Sequence, residues 1–191
     1  MARPQTIDEE ALIARLGTVF RDVGYEGASL ALLSEATGLQ KASLYHRFPG
    51  GKRQMAEEVL GSALAWFAEN VLTPLKGEGS PKTRLAFVAA QLQSFYSSGY
   101  QACFLNVLAS PRAEDGPFTP AIKGAFEALI EAFAKLARDA GHPPKGAKRR
   151  AERAVMLLQG SLVLSRGLRS TEPFRAFLRG LPDDLLAVVE R

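Results

Sequence analysis

Apolar residues recur along most of the chain at intervals of three and four, which is the spacing of one face of an α-helix. The first stripe follows a capping-box pattern, Thr6 with Glu9, and ends at Gly24, where a helix commonly stops. A longer stripe begins at Lys52 and predicts a helix to about Leu72. No segment shows the apolar–polar alternation of a β-strand. The pattern therefore predicts an all-α protein of roughly nine helices.

Two short apolar stripes lie between the first helix and the long one. Ser29 is placed to cap the first of them, which carries Leu30 and Leu33 and is broken by Gly38. The second covers residues 41–48 and ends in a Pro-Gly-Gly turn. A short helix, a glycine turn and a second short helix form the helix-turn-helix pattern, whose second helix lies in the major groove of DNA. On spacing alone, a purely structural three-helix corner explains the pattern equally well.

The last part of the chain carries a different apolar pattern. Residues 154–168 are apolar on nearly all sides, so the predicted helix must be covered on both faces, either inside a bundle or against a second subunit. The final stripe begins at about Glu172 and contains Pro182. Proline in a helix interior costs about 3 kcal/mol, which predicts a kink or a break at this position.

Composition is typical of a soluble globular protein. The 191 residues are 47% hydrophobic and 23% charged, which suits one large domain or a small one joined to a larger one. No apolar run is long enough to span a bilayer, and the N-terminus lacks the apolar region of a signal peptide. The single cysteine, Cys103, excludes an internal disulfide and fits a reducing compartment. We therefore expect a cytoplasmic protein with no membrane partner, no metal site and no cofactor.

The distribution of charge is more informative than the formal net charge of +4. Residues 36–56 contain no acidic residue but four cations, Lys41, Arg47, Lys52 and Arg53. A local basic patch is what contact with DNA phosphates requires. Taken by itself, such a run is more often only a solvated helix face.

The residues at the start of the predicted second helix suit contact with base edges. Gln40 can pair bidentately with adenine, Lys41 can donate to guanine or to a phosphate, and Ala42 can touch a thymine methyl group. Ser43, like Ala42, is small enough to allow close approach. Three further side chains are candidates for phosphate contacts: Ser29, Tyr45 and His46.

Several separated motifs resemble the N-terminal domain of the TetR (tetracycline-repressor-like) family. They are a Phe-x-x-x-Gly-Tyr hinge within residues 18–29, a Thr-Gly turn at residues 37–38 and a Leu-Tyr-His-x-Phe recognition helix at residues 44–48. The resemblance implies a helix-turn-helix DNA-binding domain over residues 1–50. It implies an effector-binding and dimerisation domain over residues 51–191.

The resemblance also implies a function and a set of contacts. It suggests a homodimer, joined through its two C-terminal helices, that represses transcription from a palindromic double-stranded DNA operator and is released by a small-molecule effector. Ser29 matches a phosphate-contacting position, Tyr45 and His46 match a phosphate-contacting pair, and Lys52 matches a lysine that meets the DNA backbone. The base-facing turn matches residues 41–43.

Two features depart from the family pattern. Gln40 stands where the family usually has a Ser or Thr helix cap, which makes a base contact by Gln40 more plausible. The turn at residues 49–51 is one residue longer than the commonest family form. The reach of Lys52 and the start of the long helix depend on this turn.

An effector pocket is expected in the aromatic-rich region between Trp66 and Met156. Ligand pockets are mostly apolar with a few polar anchors, and the apolar residues of this region favour a hydrophobic or aromatic effector. An aromatic residue at helical spacing is more often part of the core, so each candidate also has a structural explanation. The candidate ligand-binding residues are Phe67, Tyr96, Cys103, Asn106, Phe126 and Gln159.

Other functions are weighed against a ligand-released repressor. An enzyme would need Cys103 as nucleophile with His46 or His142 as base, and none of these stands in a recognisable motif. We therefore expect no catalytic residue and no enzymatic activity. A helical scaffold or partner-binding protein without DNA affinity fits the same helical pattern, as does a ligand-responsive activator.

Overall fold

The computed structural model describes residues 7–109 and 116–187, and this part of the chain is all-α, with nine helices and no strand. The fold class and the helix number predicted from the sequence are confirmed. The helices are α1 (Glu9–Gly27), α2 (Leu30–Thr37), α3 (Lys41–Arg47), α4 (51–76), α5 (Pro81–Phe95), α6 (Phe104–Val107), α7 (Thr119–Asp139), α8 (Pro144–Gly167) and α9 (Glu172–Leu186). None of them is long and apolar enough to cross a bilayer.

The start of α1 differs in detail from the sequence prediction. The predicted cap, Thr6, lies outside the described residues. The side chain of Asp8 caps the helix instead, because its carboxylate accepts a hydrogen bond from the backbone N–H of Ala11 at 3.3 Å. Gly24 has a non-helical φ of 70°, so the regular helix is interrupted where the sequence predicted its end, and helical structure resumes briefly to Gly27.

The long helix α4 continues beyond its predicted end at about Leu72. It consists of an α-helical part, Gly51–Phe67, a π-helical turn, Ala68–Leu72, and a final turn, Thr73–Lys76. Pro74 is tolerated because it stands in the first turn of that last segment. π-helical turns of this kind are rare and often mark functional sites.

A kink or a break was expected at Pro182; the break does not occur, and α9 runs through this residue to Leu186. Four large apolar side chains of α9 are buried, and each contributes roughly 1.5–3 kcal/mol on burial. Their sum exceeds the cost of about 3 kcal/mol for an interior proline, so the proline is accommodated on the exposed face. The four buried residues are Phe174, Phe177, Leu181 and Leu185.

Two hydrophobic clusters form the core. The N-terminal cluster joins α1, α2, α3 and the first half of α4, and it reaches past residue 50 to Met55, Val59 and Leu60. The C-terminal cluster joins the end of α4 with α5, α7, α8 and α9. Leu105 and Phe126 pack against both clusters. The domain boundary at residue 50 stays a prediction, since α4 belongs to both clusters.

One face of α8 remains uncovered. Its inner side packs on α7 and α9. Its outer side carries large apolar residues that are 37–66% exposed, namely Met156, Leu157, Val163, Leu164 and Leu168. Gly160 and Gly167 are also exposed and lie at helical spacing among these residues. The apolar pattern predicted for residues 154–168 is thus resolved into a covered face and a bare one.

Candidate DNA interface and effector cavity

The turn between α2 and α3 is held by local interactions that the sequence foreshadows. The hydroxyl of Ser29 accepts a hydrogen bond from the N–H of Leu32 at 3.2 Å and caps α2. Gly38 ends α2 in the left-handed conformation, with φ of 72°. Leu33 and Leu44 are fully buried and fix α2 and α3 on the N-terminal cluster. With Leu44 turned inward, the opposite face of α3 is left at the surface.

The predicted DNA-contacting residues are gathered at this surface. Gln40, Lys41, Ala42, Ser43 and His46 are exposed, and the exposed fraction of Tyr45 is 47%. Gln40 occupies the N-cap position of α3 but makes no side-chain capping hydrogen bond, so its amide group is available to another partner. Together they form an exposed polar turn with a tyrosine and a histidine on the following turn of helix.

Lys52 lies at the start of α4, where it joins α4 to the end of α1. Its ammonium group donates a hydrogen bond to the backbone carbonyl of Tyr25 at 2.9 Å and lies 4.5 Å from the centre of the Tyr25 ring. A lysine has three N–H donors, so two remain for another acceptor. Lys52 therefore has a structural partner within the protein in addition to the DNA contact predicted for it.

Two of the four cations in the predicted basic patch are neutralised by acids that the sequence window did not include. Arg47 pairs with Glu9 of α1, and its Nη2 donates to the Oε2 of Glu58 in α4 at 2.9 Å. These hydrogen bonds raise the pKa of Arg47 above its usual value. Arg53 pairs with Glu57 at 2.8 Å. The basic patch therefore carries less free positive charge than the sequence predicted. The sequence pattern also did not indicate that Arg47 links α3 to α1 and α4 through ion pairs.

Gly51 closes the extended turn between α3 and α4 in a conformation that favours glycine. Its φ is 64°, and a Cβ atom at this position would lie 3.4 Å from Cε1 of Tyr45. The turn therefore brings the tyrosine ring against the start of α4. The longer turn noted in the sequence is compatible with a fixed position for Tyr45.

The variant Gly51→Ala is expected to lose about 1–2 kcal/mol of unfolding free energy, because an L-residue is strained in the left-handed region. Gly61→Ala is the matched control, since Gly61 is helical, exposed and has no atom within 4 Å of an added Cβ. The control is expected to be neutral or slightly stabilising. Urea unfolding followed by circular dichroism measures both. Equal stability of the two variants would show that the turn does not require glycine.

A cavity of about 290 Å³ lies in the C-terminal half of the molecule. The α4 helix supplies one wall, with Leu60, Leu64 and Phe67, and the π-helical turn adds Leu72. On the opposite side, α7 presents small residues at helical spacing. These are Ala121, Gly124 and Ala125, and they are exposed or only partly buried.

The polar groups of the cavity wall converge on one sulfur atom. The hydroxyl of Tyr96 and the amide Nε2 of Gln159 each donate to Sγ of Cys103 at 3.5 Å. Sulfur is a weak acceptor, so both donors are poorly satisfied. Tyr96 is fully buried, and this burial raises the pKa of its hydroxyl well above the usual value. The cavity is thus apolar with two hydrogen-bond donors facing a buried thiol.

The structure brings four of the six predicted ligand-binding residues together. Phe67, Tyr96, Cys103 and Gln159 line the cavity. The other two predicted residues do not line it: Asn106 is exposed, and Phe126 packs between the two hydrophobic clusters. Several lining residues were missed, above all the small residues of α7, whose lack of bulk gives no hydrophobic signal in the sequence.

The residues considered for catalysis do not form a constellation in this structure. Cys103 is hydrogen-bonded to Tyr96 and Gln159, His46 is exposed on α3, and His142 is buried in the turn between α7 and α8. Burial lowers the pKa of His142 below its usual value. Within residues 7–109 and 116–187, no group of three or more His, Cys, Asp or Glu side chains is arranged as a metal site.

A capped helix, a glycine turn and an exposed second helix, carried on a larger helical bundle, define a helix-turn-helix DNA-binding protein. Comparison with family models supports this class of protein. The model described as "Bacterial regulatory proteins, tetR family" matches residues 14–59. The model described as "Transcriptional regulator LmrA/YxaF-like, C-terminal domain" matches residues 83–179, which is just over half of the chain. The protein therefore belongs to the TetR family of transcriptional regulators.

Individual relatives are similar over nearly the whole chain. The HTH-type transcriptional regulator LmrA of Bacillus subtilis is 22% identical over 179 residues, which cover 91% of this chain and 94% of that protein. An uncharacterized HTH-type transcriptional regulator of Mycobacterium tuberculosis is 25% identical over 186 residues, which cover 93% of this chain and 94% of that protein. Both relatives are described as HTH-type transcriptional regulators.

Solved structures confirm the fold. A TetR transcriptional regulator from Legionella pneumophila superposes with a TM-score of 0.81 at 18% identity, covering 96% of this chain and all of that one. A cysteine mutant of the TetR family regulator CifR, complexed with 26 bp double-strand operator DNA, superposes with a TM-score of 0.75 at 24% identity. That match covers 97% of this chain and 99% of the CifR chain.

Proposed function

We propose that the protein is a homodimeric repressor that is released from a palindromic double-stranded DNA operator by a small hydrophobic or aromatic effector. One observation carries the proposal. The helix α4 begins beside α3 at Gly51, and between Leu60 and Leu72 it forms a wall of the cavity. A displacement of α4 by an occupant of the cavity is therefore transmitted to the recognition helix.

The exposed turn of α3 is suited to the major groove. Gln40, Lys41, Ala42 and Ser43 face the bases in this proposal, with Lys41 donating to guanine or to a phosphate. Phosphate contacts are assigned to Ser29, Tyr45, His46 and Lys52. The operator-bound structure of CifR, which has the same fold, supports a DNA partner of this kind. Because the proposed partner is operator DNA, we infer that the protein acts in the cytoplasm.

The bare face of α8 is the proposed dimer interface. Its exposed apolar residues form a patch that a soluble monomer rarely leaves in contact with water. The glycines Gly160 and Gly167 on this face allow the backbone of a second α8 to approach closely. The neighbouring helix α9 shows no large apolar residue that is exposed among its described positions. It therefore serves the interface mainly by supporting α8, and α8 makes the larger contribution.

The cavity indicates the chemistry of the effector. Its apolar walls and its volume of about 290 Å³ suit a small hydrophobic or aromatic molecule. An oxygen atom on that molecule would be a better acceptor for Tyr96 and Gln159 than the thiol of Cys103. The small residues of α7 provide the entrance.

Release follows as a shift between two populations. An effector that fits the cavity better in the conformation with displaced recognition helices lowers operator affinity. Linkage then requires operator DNA to weaken effector binding by the same factor.

A ligand-responsive activator shares this coupling, and a transcriptional reporter with the selected operator upstream of its promoter separates the two by the sign of the response. A scaffold without DNA affinity yields no enriched sequence when duplexes are selected from a random pool.

The variant Ala125→Leu tests whether the cavity is the effector site. We expect it to bind the selected operator as tightly as the wild type but to lose binding of 1-N-phenylnaphthylamine, a neutral aromatic probe whose fluorescence rises in apolar sites. The added isopropyl group takes up space in the cavity, whose lining includes no residue of α3. Ala86→Leu, the same change at an exposed position of α5, is the control and should keep probe binding.

Two results would contradict this assignment. If Ala125→Leu binds the probe as well as Ala86→Leu does, the probe occupies another part of the protein. If operator affinity of the wild type is unchanged by saturating effector identified with this assay, the cavity is not coupled to α3.

A further inference from the structure

A second cleft, separate from the effector cavity, lies where the two halves of the protein meet. Its volume is about 290 Å³. One side is formed by α1 and α4, and the other by the end of α5 and the segment that leads into α6. Phe95 and Phe104 line both the cleft and the effector cavity, so their rings form a partition between the two spaces. No acidic residue of the described ranges, 7–109 and 116–187, lines the cleft.

Arg21 of α1 contributes a positive charge to this cleft. The Cζ atom of its guanidinium group lies 4.2 Å from the centre of the Phe104 ring and 4.9 Å from the centre of the Phe95 ring. Its Nε is buried and donates to no acceptor in the described part of the chain, and none of the ion pairs found there includes Arg21. Burial lowers the pKa of Arg21, but a guanidinium group remains protonated in proteins.

Other groups around Arg21 are neutral or balanced. Thr18 and Gln101 line the cleft beside it and can donate hydrogen bonds. An adjoining surface hollow that also contains Arg21 includes Asp22 and Arg166, whose charges oppose each other. The cation therefore retains most of its capacity to bind an anion.

Three aromatic residues contribute to the walls of the cleft, beside aliphatic and small residues of α1 and α4. Trp66 stacks on Phe95 with ring centres 4.5 Å apart, and both line the cleft with Phe104. The fork of a guanidinium group matches a planar carboxylate in two parallel hydrogen bonds. Rings on the other walls offer surface to an apolar or aromatic body.

We propose that this cleft is a second ligand site that binds an aromatic carboxylate, with the carboxylate on Arg21 and the ring against Trp66, Phe95 and Phe104. The site is additional to the effector cavity of the proposed repressor mechanism and does not depend on it. A ligand here contacts α1 and α4 of the N-terminal cluster and the wall of the effector cavity at once.

Trp66 is the only tryptophan of the chain, so its fluorescence reports on this cleft directly. The probe is 3-phenylpropanoate, compared with its neutral amide, 3-phenylpropanamide. We expect the acid to change the emission of Trp66 and to give a saturating isotherm by calorimetry. The amide should bind about tenfold or more weakly, because it cannot form a charge-assisted pair.

Variants test whether the acid binds in this cleft or elsewhere in the protein. Arg21→Gln is expected to weaken binding of the acid about tenfold or more and to leave binding of the amide unchanged. Arg175→Gln removes a charge from an exposed position of α9 and should bind like the wild type. Ala125→Leu, which fills the effector cavity, should also bind the acid like the wild type. The comparison of acid with amide on the wild-type protein needs no variant to fold.

Each alternative outcome overturns the site. Equal affinity for acid and amide, or equal affinity of the wild type and Arg21→Gln, would exclude Arg21 as the anion-binding group. Loss of binding in Ala125→Leu but not in Arg21→Gln would place the probe in the effector cavity. Absence of binding by the acid up to about 10 mM would mean that the cleft is not a carboxylate site.

Discussion

Leu164→Glu is expected to convert the protein to a monomer and to lower its operator affinity by a factor of about a hundred or more. Leu164 is 55% exposed at the centre of the bare apolar face of α8. A glutamate here would place two like charges in the apolar interface of the proposed dimer, where they are costly to desolvate. Without the dimer, each half-site must bind separately, and the gain of roughly 10²–10⁴ that comes from linking two sites is lost.

The matched control is Phe87→Glu. Phe87 is a large apolar residue with 48% of its surface exposed, and it belongs to a different helix, α5. Sedimentation velocity should show a dimer for Phe87→Glu and a monomer for Leu164→Glu. Fluorescence anisotropy with the selected operator should show the affinity of the wild type for Phe87→Glu and the much weaker affinity described above for Leu164→Glu. A dimeric, fully active Leu164→Glu variant would place the interface elsewhere.

Removal of the Tyr45 hydroxyl is expected to weaken operator binding about tenfold or more for every sequence. The change Tyr45→Phe keeps the ring against the Gly51 turn and removes one hydrogen bond to a charged phosphate, which contributes about 1.5–3 kcal/mol. Because a phosphate contact carries no sequence information, affinities for single-base variants of the operator should fall in parallel. Tyr100→Phe, at a tyrosine that is 67% exposed outside the recognition turn, should have no effect.

Lys41→Ala is expected to behave differently from Tyr45→Phe if Lys41 contacts a base. It should relax the preference at one position of each half-site and cost about 1–3 kcal/mol. Lys82→Ala, which removes the same charge from an exposed site on α5, controls for net charge. A uniform loss across all sequences, with a reduced salt dependence, would show that Lys41 contacts only phosphate.

The helix-turn-helix could be predicted from the sequence because its determinants are local. The cap at Ser29, the left-handed Gly38 and the inward-facing Leu33 and Leu44 each act within a few residues. These signals correctly gave α2 and α3 and the exposure of Lys41. Short-range rules suffice where the functional surface is built from consecutive residues.

The long-range features of the site were not accessible to the same reasoning. Arg47 was counted as a free cation because its partners, Glu9 and Glu58, are remote or outside the sequence window. The π-helical turn Ala68–Leu72 has no distinct residue signature, and the continuity of α9 past Pro182 depends on burial against other helices. The pairing of Arg47, the π-helical turn and the continuity of α9 are all determined by tertiary packing.

The residues that line the cavity could also be predicted only in part from the sequence. Phe67 and Tyr96 could be proposed from the sequence because aromatic residues are conspicuous, whereas small lining residues of α7 such as Gly124 give no such signal. Asn106 was proposed for its polarity alone and lies at the surface, which periodicity in so short a helix could not reveal.

Insertion of α3 into the major groove can be tested directly by dimethyl sulfate footprinting of the wild-type protein on the operator selected from a random pool. The reagent methylates guanine N7 in the major groove and adenine N3 in the minor groove. We predict protection of guanine N7 in two clusters separated by about one helical turn or a multiple of it, with adenine N3 in those clusters still reactive. Protection of adenine N3 alone, or unchanged guanine N7 reactivity on fully bound operator, would contradict the insertion of α3.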